Sequence, residues 1–98
     1  MDNDYPYCFA CGQQAPVGLH LRFDYKNGEV VCRCVVERVF QGYEGVVHGG
    51  IVATLLDEAM AKAVLHTGVV AVTGRMEISY RRPVRVETPL LLRGRVVE

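Results

Sequence analysis

The chain predicts an α+β domain in which one long helix lies buried in an antiparallel sheet, and two patterns carry that expectation. Between Gly49 and His66 the apolar residues Ile51, Val52, Leu55, Leu56, Ala59, Met60, Ala63, Val64 and Leu65 cover far more than a single stripe, so little of such a helix can face water. On either side of it, short and partly alternating runs rich in Val, Ile, Leu and Arg have the composition of strands.

Residues 1–17 form an N-terminal arm that contains Cys8-Phe9-Ala10-Cys11-Gly12. A first strand is expected over Gly18–Tyr25 and a second over Glu29–Val39, with Asn27-Gly28 between them as a two-residue hairpin turn. The helix is expected over Gly49–His66, ending at Gly68, where a glycine can take the left-handed conformation that closes helices. Two more strands are expected over Val69–Tyr80 and Leu90–Val97, punctuated by Pro83, Glu87-Thr88 and Pro89. No internal repeat, low-complexity tract or linker interrupts the chain, so residues 1–98 read as a single domain.

Composition narrows the function classes. The chain has 98 residues, 50% hydrophobic and 22% charged, with a formal net charge of zero, which suits a small soluble domain and lacks the basic face of a nucleic-acid binder. After Gly74 six arginines stand against Glu77, Glu87 and Glu98, a local excess that an anionic ligand could use. The uncharged apolar run Gly45–Leu56 is too short to cross a bilayer, and the acidic Met1-Asp2-Asn3-Asp4 start is unlike a signal peptide, so the cytoplasm is the expected location.

The chemistry concentrates at the helix start. In Val46-Val47-His48-Gly49-Gly50 the glycines let a substrate approach the backbone, and the free N–H groups of a first helical turn carry roughly half a positive charge toward it. That is the make-up of an oxyanion site. Asp57 lies inside the apolar helix, where an unpaired carboxylate is costly and function is the commoner reason to keep it. The bland reading is a mere turn into a helix followed by a hydrogen-bonded acid. Glu58, about 100° around the helix, suits a solvent-edge or salt-bridge role.

His48-Gly49-Gly50 with Asp57, the strand Thr73-Gly74-Arg75-Met76-Glu77-Ile78-Ser79-Tyr80 and Arg82-Pro83 together resemble the hotdog-fold acyl-CoA thioesterases of the phenylacetate-pathway type. Cys8-Phe9-Ala10-Cys11-Gly12 with Gly18-Leu19-His20-Leu21 is similar to a subgroup of that superfamily. The resemblance implies a hotdog fold, an acyl-CoA substrate with an aromatic or short- to medium-chain acyl group, no cofactor, and a twofold homodimer that sometimes pairs into a tetramer. It departs from the pattern at the C-terminus, where hotdog domains usually continue for one or two strands beyond the segment ending here at Glu98. Either a truncated chain or a sheet short of an edge is therefore expected.

Spacing agrees with the implied dimer. At about 1.5 Å per residue, Asp57 lies on the order of 12 Å along the helix from Gly49, too far to act on a carbonyl held there. If an acid and an N–H donor cooperate, they come from different subunits. The implied catalytic residues are Gly49, and with it Gly50, as carbonyl-polarising donors, Asp57 as general base or nucleophile, and His48 as an orienting residue. Thr73 falls where some relatives place a water-positioning hydroxyl, and Gln41, or Gly42 in its place, falls where others carry an amide near the thioester. Arg75, Arg81, Arg82 and Arg85 could grip phosphates, against the usual role of surface arginines as solvated charges. The acyl pocket is expected among residues such as Tyr43, Leu55, Leu56 and Met60.

Cys8, Cys11, Cys32 and Cys34 number enough thiolates for a structural zinc, and Cys32 and Cys34 would share one strand face. Small buried cysteines in a reducing compartment are the preferred reading, with no metal required. Two other functional classes remain beside the enzyme: a non-catalytic acyl-CoA-binding hotdog protein and a zinc-stabilised interaction module.

Overall fold

The structure is a computed structural model and describes residues 5–97; the Met1-Asp2-Asn3-Asp4 start and Glu98 lie outside the described residues. The elements run β1 (Asp24–Lys26), β2 (Glu29–Val35), a short 3-10 turn (Arg38–Phe40), α1 (Gly49–His66) and β3 (Pro89–Gly94). The three strands form one antiparallel sheet in the order β1-β2-β3, and α1 lies against it.

Local sequence accounts for most of these elements. Asn27 (φ 53°) and Gly28 (φ 82°) both take left-handed backbone, the requirement of the tight turn that joins two strands with matching twist. α1 spans the expected residues. His48 caps its start, Thr67 its end, and Gly68 (φ 93°) turns the chain away.

The sheet presents one apolar row to the helix. In register, Val30 lies opposite Gly94, Cys32 opposite Leu92 and Cys34 opposite Leu90, and this face packs on Leu55, Ala59 and Ala63 of α1. Gly94 sits so close to the helix that a Cβ there would fall 2.7 Å from the Ala59 carbonyl oxygen. Phe23 and Leu21 close one side of the core, and Val36, Val47 and Val86 the other.

The strands expected over 29–39 and 90–97 are trimmed, to Glu29–Val35 before the 3-10 turn and to Pro89–Gly94, and the other two differ more. Leu19, Leu21 and Phe23 do alternate inward, but the amides of Leu19 and Leu21 bond the carbonyls of Phe9 and Ala10 in the arm, and His20 takes φ 52°. Only Asp24–Lys26 is left to pair with β2. Residues 69–80 are not a strand: among the described residues they join no ladder, and Val70 and Val72 are 76% and 94% exposed. Composition supplies a strand's side chains, but a strand exists only where a neighbour accepts its hydrogen bonds, and the described sheet offers this segment none.

The covering of α1 is accordingly one-sided. Leu55, Ala59, Lys62 and Ala63 are buried, Ile51, Val52 and Leu56 are half-buried, and Met60 is exposed. Burial of an ammonium in this row was not expected from the apolar pattern.

Candidate active site

The loop before α1 fixes the helix start. Gly42 donates to the Val46 carbonyl (2.8 Å), His48 to that of Phe40 (3.0 Å), and Val47 to that of Val84 (2.7 Å), so residues 40–48 are laced to the segment entering β3. Gly42 is pressed against His48, where a Cβ would come within 3.3 Å of the His48 Cα. Gln41 is turned away from the site: its Oε1 accepts from the Gly45 amide at 2.9 Å and closes the loop. Of these two candidates, Gly42 is the one that lines the cleft.

At the helix start His48 Nδ1 accepts from the Gly50 N–H at 2.9 Å. A ring nitrogen that accepts carries no proton, so in the neutral ring the proton sits on Nε2. The Ile51 and Val52 amides both bond the His48 carbonyl. Among the described residues none accepts from the Gly49 N–H, which leaves Gly49 as the open donor of the first turn and Gly50 engaged by its own cap.

This end of the helix opens on a cleft of about 680 Å³. Tyr43, His48, Gly49 and Leu56 line it, with Tyr80, Arg81 and Arg82 opposite. Of the expected acyl-pocket residues, Leu55 is instead buried under the sheet and Met60 lies outside the cleft. Arg82 lies in the cleft wall, whereas the exposed Arg75 pairs with Glu77 at 2.9 Å.

Asp57 lies outside the cleft, eight residues along the helix. The Thr73 hydroxyl donates to its Oδ1 at 2.5 Å, the length of a hydroxyl–carboxylate bond. Tyr80, the site residue that sequence reasoning missed, donates its hydroxyl to the Gly49 carbonyl at 3.0 Å. Segment 69–80 therefore runs back along α1, touching the carboxylate at Asp57 and the helix start at Gly49. The signal for Tyr80 was its place in the same eight-residue run as Thr73.

A second polar cluster lies under the arm. Glu58 ion-pairs with Lys62 at 3.7 Å, both side chains largely covered, and the Cys8 and Cys11 thiols adjoin them. Burial pushes the Cys11 thiol up to about 12, with the neighbouring Glu58 adding to the effect. Burial acts in the same direction on Cys8, but backbone N–H groups of Cys11 and Ala10 donate to its sulfur and carry it below the usual thiol value. Burial would lower the Lys62 ammonium, yet the Cys11 sulfur and Glu58 beside it hold it above the ordinary lysine value. Cys32 and Cys34 do not join this group. They face each other along β2, and that contact together with burial raises Cys34. The four cysteines, the set weighed for zinc beside the preferred metal-free reading, are not brought together: Cys32 and Cys34 stay on β2, and Glu58 of α1 lies with Cys8 and Cys11 instead.

A single helix laid on an antiparallel sheet, with a glycine-rich helix start opening on a cleft, defines a domain of the hotdog class. A crystallised thioesterase superfamily protein superimposes on 95% of this chain and 49% of its own, with a TM-score of 0.88 and 26% identity. The chain belongs to the thioesterase superfamily, whose family model matches residues 44–98. It is also 32% identical over 73 residues to acyl-coenzyme A thioesterase 13 of Homo sapiens and to that of Pongo abelii, over 72% of this chain and 52% of each relative. The chain spans about half the length of the curated relatives it matches.

Proposed function

We propose that this chain hydrolyses acyl-CoA thioesters, with each active site shared between two copies. One observation carries the reading. The same helix holds an open N–H donor at Gly49, facing the cleft, and a carboxylate at Asp57, held by Thr73, about 12 Å away along the axis. Neither end is a complete site, and two antiparallel helices side by side would bring each donor to the other's acid.

In that arrangement the Gly49 N–H polarises the thioester carbonyl and stabilises the oxygen as it gains charge. Asp57 of the partner subunit takes a proton from water, whose oxygen adds to the carbonyl carbon, or attacks that carbon itself to give a mixed anhydride that water then hydrolyses; in either case the C–S bond breaks and the thiolate leaves to be protonated as CoA. Thr73 orients the carboxylate, and His48 fixes the helix start by accepting from Gly50. Arg81 and Arg82 in the cleft wall suit the phosphates of CoA, because guanidinium forks match phosphate oxygens. Tyr43 and Leu56 favour an aromatic or short- to medium-chain acyl group.

Segment 69–80 supports the dimer. The exposed Val69, Val70 and Val72 lie beside the half-covered helix in a run that, among the described residues, joins no ladder, and a twofold copy would pair it. A thiol-release assay over acyl-CoAs from acetyl to long-chain, including phenylacetyl and benzoyl, tests the reading. Turnover is expected on part of the panel and should fall by about a hundredfold or more in Asp57→Asn. Wild-type turnover in that variant would refute the mechanism, and no turnover on any thioester would refute the activity.

A further inference from the structure

The cluster beneath the arm has no part in the proposed hydrolysis, yet it brings together ligand chemistry from two separate stretches of chain. Cys8 Sγ, Cys11 Sγ and a Glu58 carboxylate oxygen lie within 4.8 Å of one another. The Cys-x-x-Cys-Gly loop is already wound around a sulfur, because the Ala10 and Cys11 amides donate to Cys8. Gly12 completes the loop: a Cβ there would fall 2.4 Å from the Cys8 amide nitrogen and from the Pro6 carbonyl oxygen. We propose that Cys8, Cys11 and Glu58 bind a thiophilic divalent cation, zinc above all, with the buried Lys62 as its counter-charge.

Donor chemistry selects the metal. Two sulfurs and one oxygen suit zinc and not magnesium or calcium, which take oxygen. Bonds of about 2.3 Å to sulfur and about 2.1 Å to oxygen set tetrahedral ligand atoms about 3.5–3.8 Å apart, so the three atoms need to close by about an ångström. Three protein ligands leave one tetrahedral position for water.

Charge gives an independent argument. Two thiolates and a carboxylate carry three negative charges, which a dication and the Lys62 ammonium together neutralise. Without the ion, a lysine that is only 4% exposed faces one carboxylate, two thiols and the Tyr5 ring, the kind of buried polar set that apolar side chains of similar volume often replace without loss. Coordination releases the thiol protons to solvent and ties the arm to the third turn of α1.

The test uses the full chain, purified without metal-affinity chromatography, with zinc read by plasma mass spectrometry and the metal-free protein titrated with Co(II). One zinc per chain is expected, and Co(II) should give thiolate-to-cobalt charge transfer in the near ultraviolet with strong tetrahedral bands in the visible. Both should be lost in Cys11→Ser and kept in Cys32→Ser, while Glu58→Gln should weaken Co(II) binding by about tenfold or more. A wild-type chain giving no charge-transfer band overturns the site, whether its thiols are free or joined as a Cys8–Cys11 disulfide. Loss of the band in Cys32→Ser, with Cys11→Ser unaffected, overturns the ligand assignment.

Discussion

Replacing Gly94 by Ala tests how closely β3 is seated on the helix. The added methyl carbon would lie 2.7 Å from the Ala59 carbonyl oxygen, 3.1 Å from the carbonyl carbon and 3.4 Å from the Ala59 Cβ. Two of these are backbone atoms in the middle of α1, so no side chain can swing aside. The end of β3 must lift by about half an ångström, enough to forfeit roughly a quarter of the dispersion energy of each contact in the layer. Overpacking of this kind costs about 1–3 kcal/mol. The alanine returns about 0.4–1 kcal/mol by restricting the unfolded chain, which at the middle of both ranges leaves a net loss of about 1.3 kcal/mol. In a domain of this size that lowers Tm by about 5–10 °C. Thermal unfolding by circular dichroism, at fixed protein concentration, reads the shift. Gly74→Ala is the control, since a Cβ there meets nothing within 4 Å and its backbone is not left-handed. If Gly94→Ala melted at or above the Gly74→Ala temperature, the close seating of sheet on helix would be wrong.

Other expectations follow from single contacts. Thr73→Val removes the hydroxyl that donates to Asp57 while keeping the shape, and should lower kcat by about tenfold with KM nearly unchanged; an equal rise in KM would point to a binding role. His48→Ala removes the acceptor for the Gly50 amide and should cost about 1 kcal/mol in a urea titration. Lys62→Ala leaves Glu58 covered and without its ion-pair partner, and should destabilise the chain by about 3 kcal/mol or more, most of it regained when Glu58→Gln is added. Glu29→Gln breaks an ion pair whose arginine is 62% exposed, and urea unfolding should change by about 1 kcal/mol or less.

What could be read from sequence was what neighbouring residues decide. The bounds of α1 follow from a cap at His48 and a stop at Gly68, and the β1–β2 turn follows from Asn27-Gly28, all interactions within a few residues. The failures were non-local. Gly18–Tyr25 has a strand's alternation, but its amides found the arm before they found β2. Segment 69–80 has a strand's composition but, among the described residues, no strand to pair with. At the site, Gly49 and Asp57 were legible as a donor and an acid at fixed helical spacing, and the Thr73–Asp57 contact brought together two residues singled out separately. Lys62 was not legible as buried, because the apolar pattern around it said nothing about the cysteines and glutamate that receive it.

The bare run at 69–80 also sets where exchange with solvent should be fastest. Amides that bond to no carbonyl exchange their hydrogens at close to the rate of an unfolded peptide, whereas those in β2 and the middle of α1 wait for larger openings. The loop that holds Thr73 over the Asp57 carboxylate is then, among the described residues, part of the weakly protected backbone. Slowing of deuterium uptake across these residues as protein concentration rises would be the result expected of the proposed pairing with a second copy, and uptake independent of concentration would count against it.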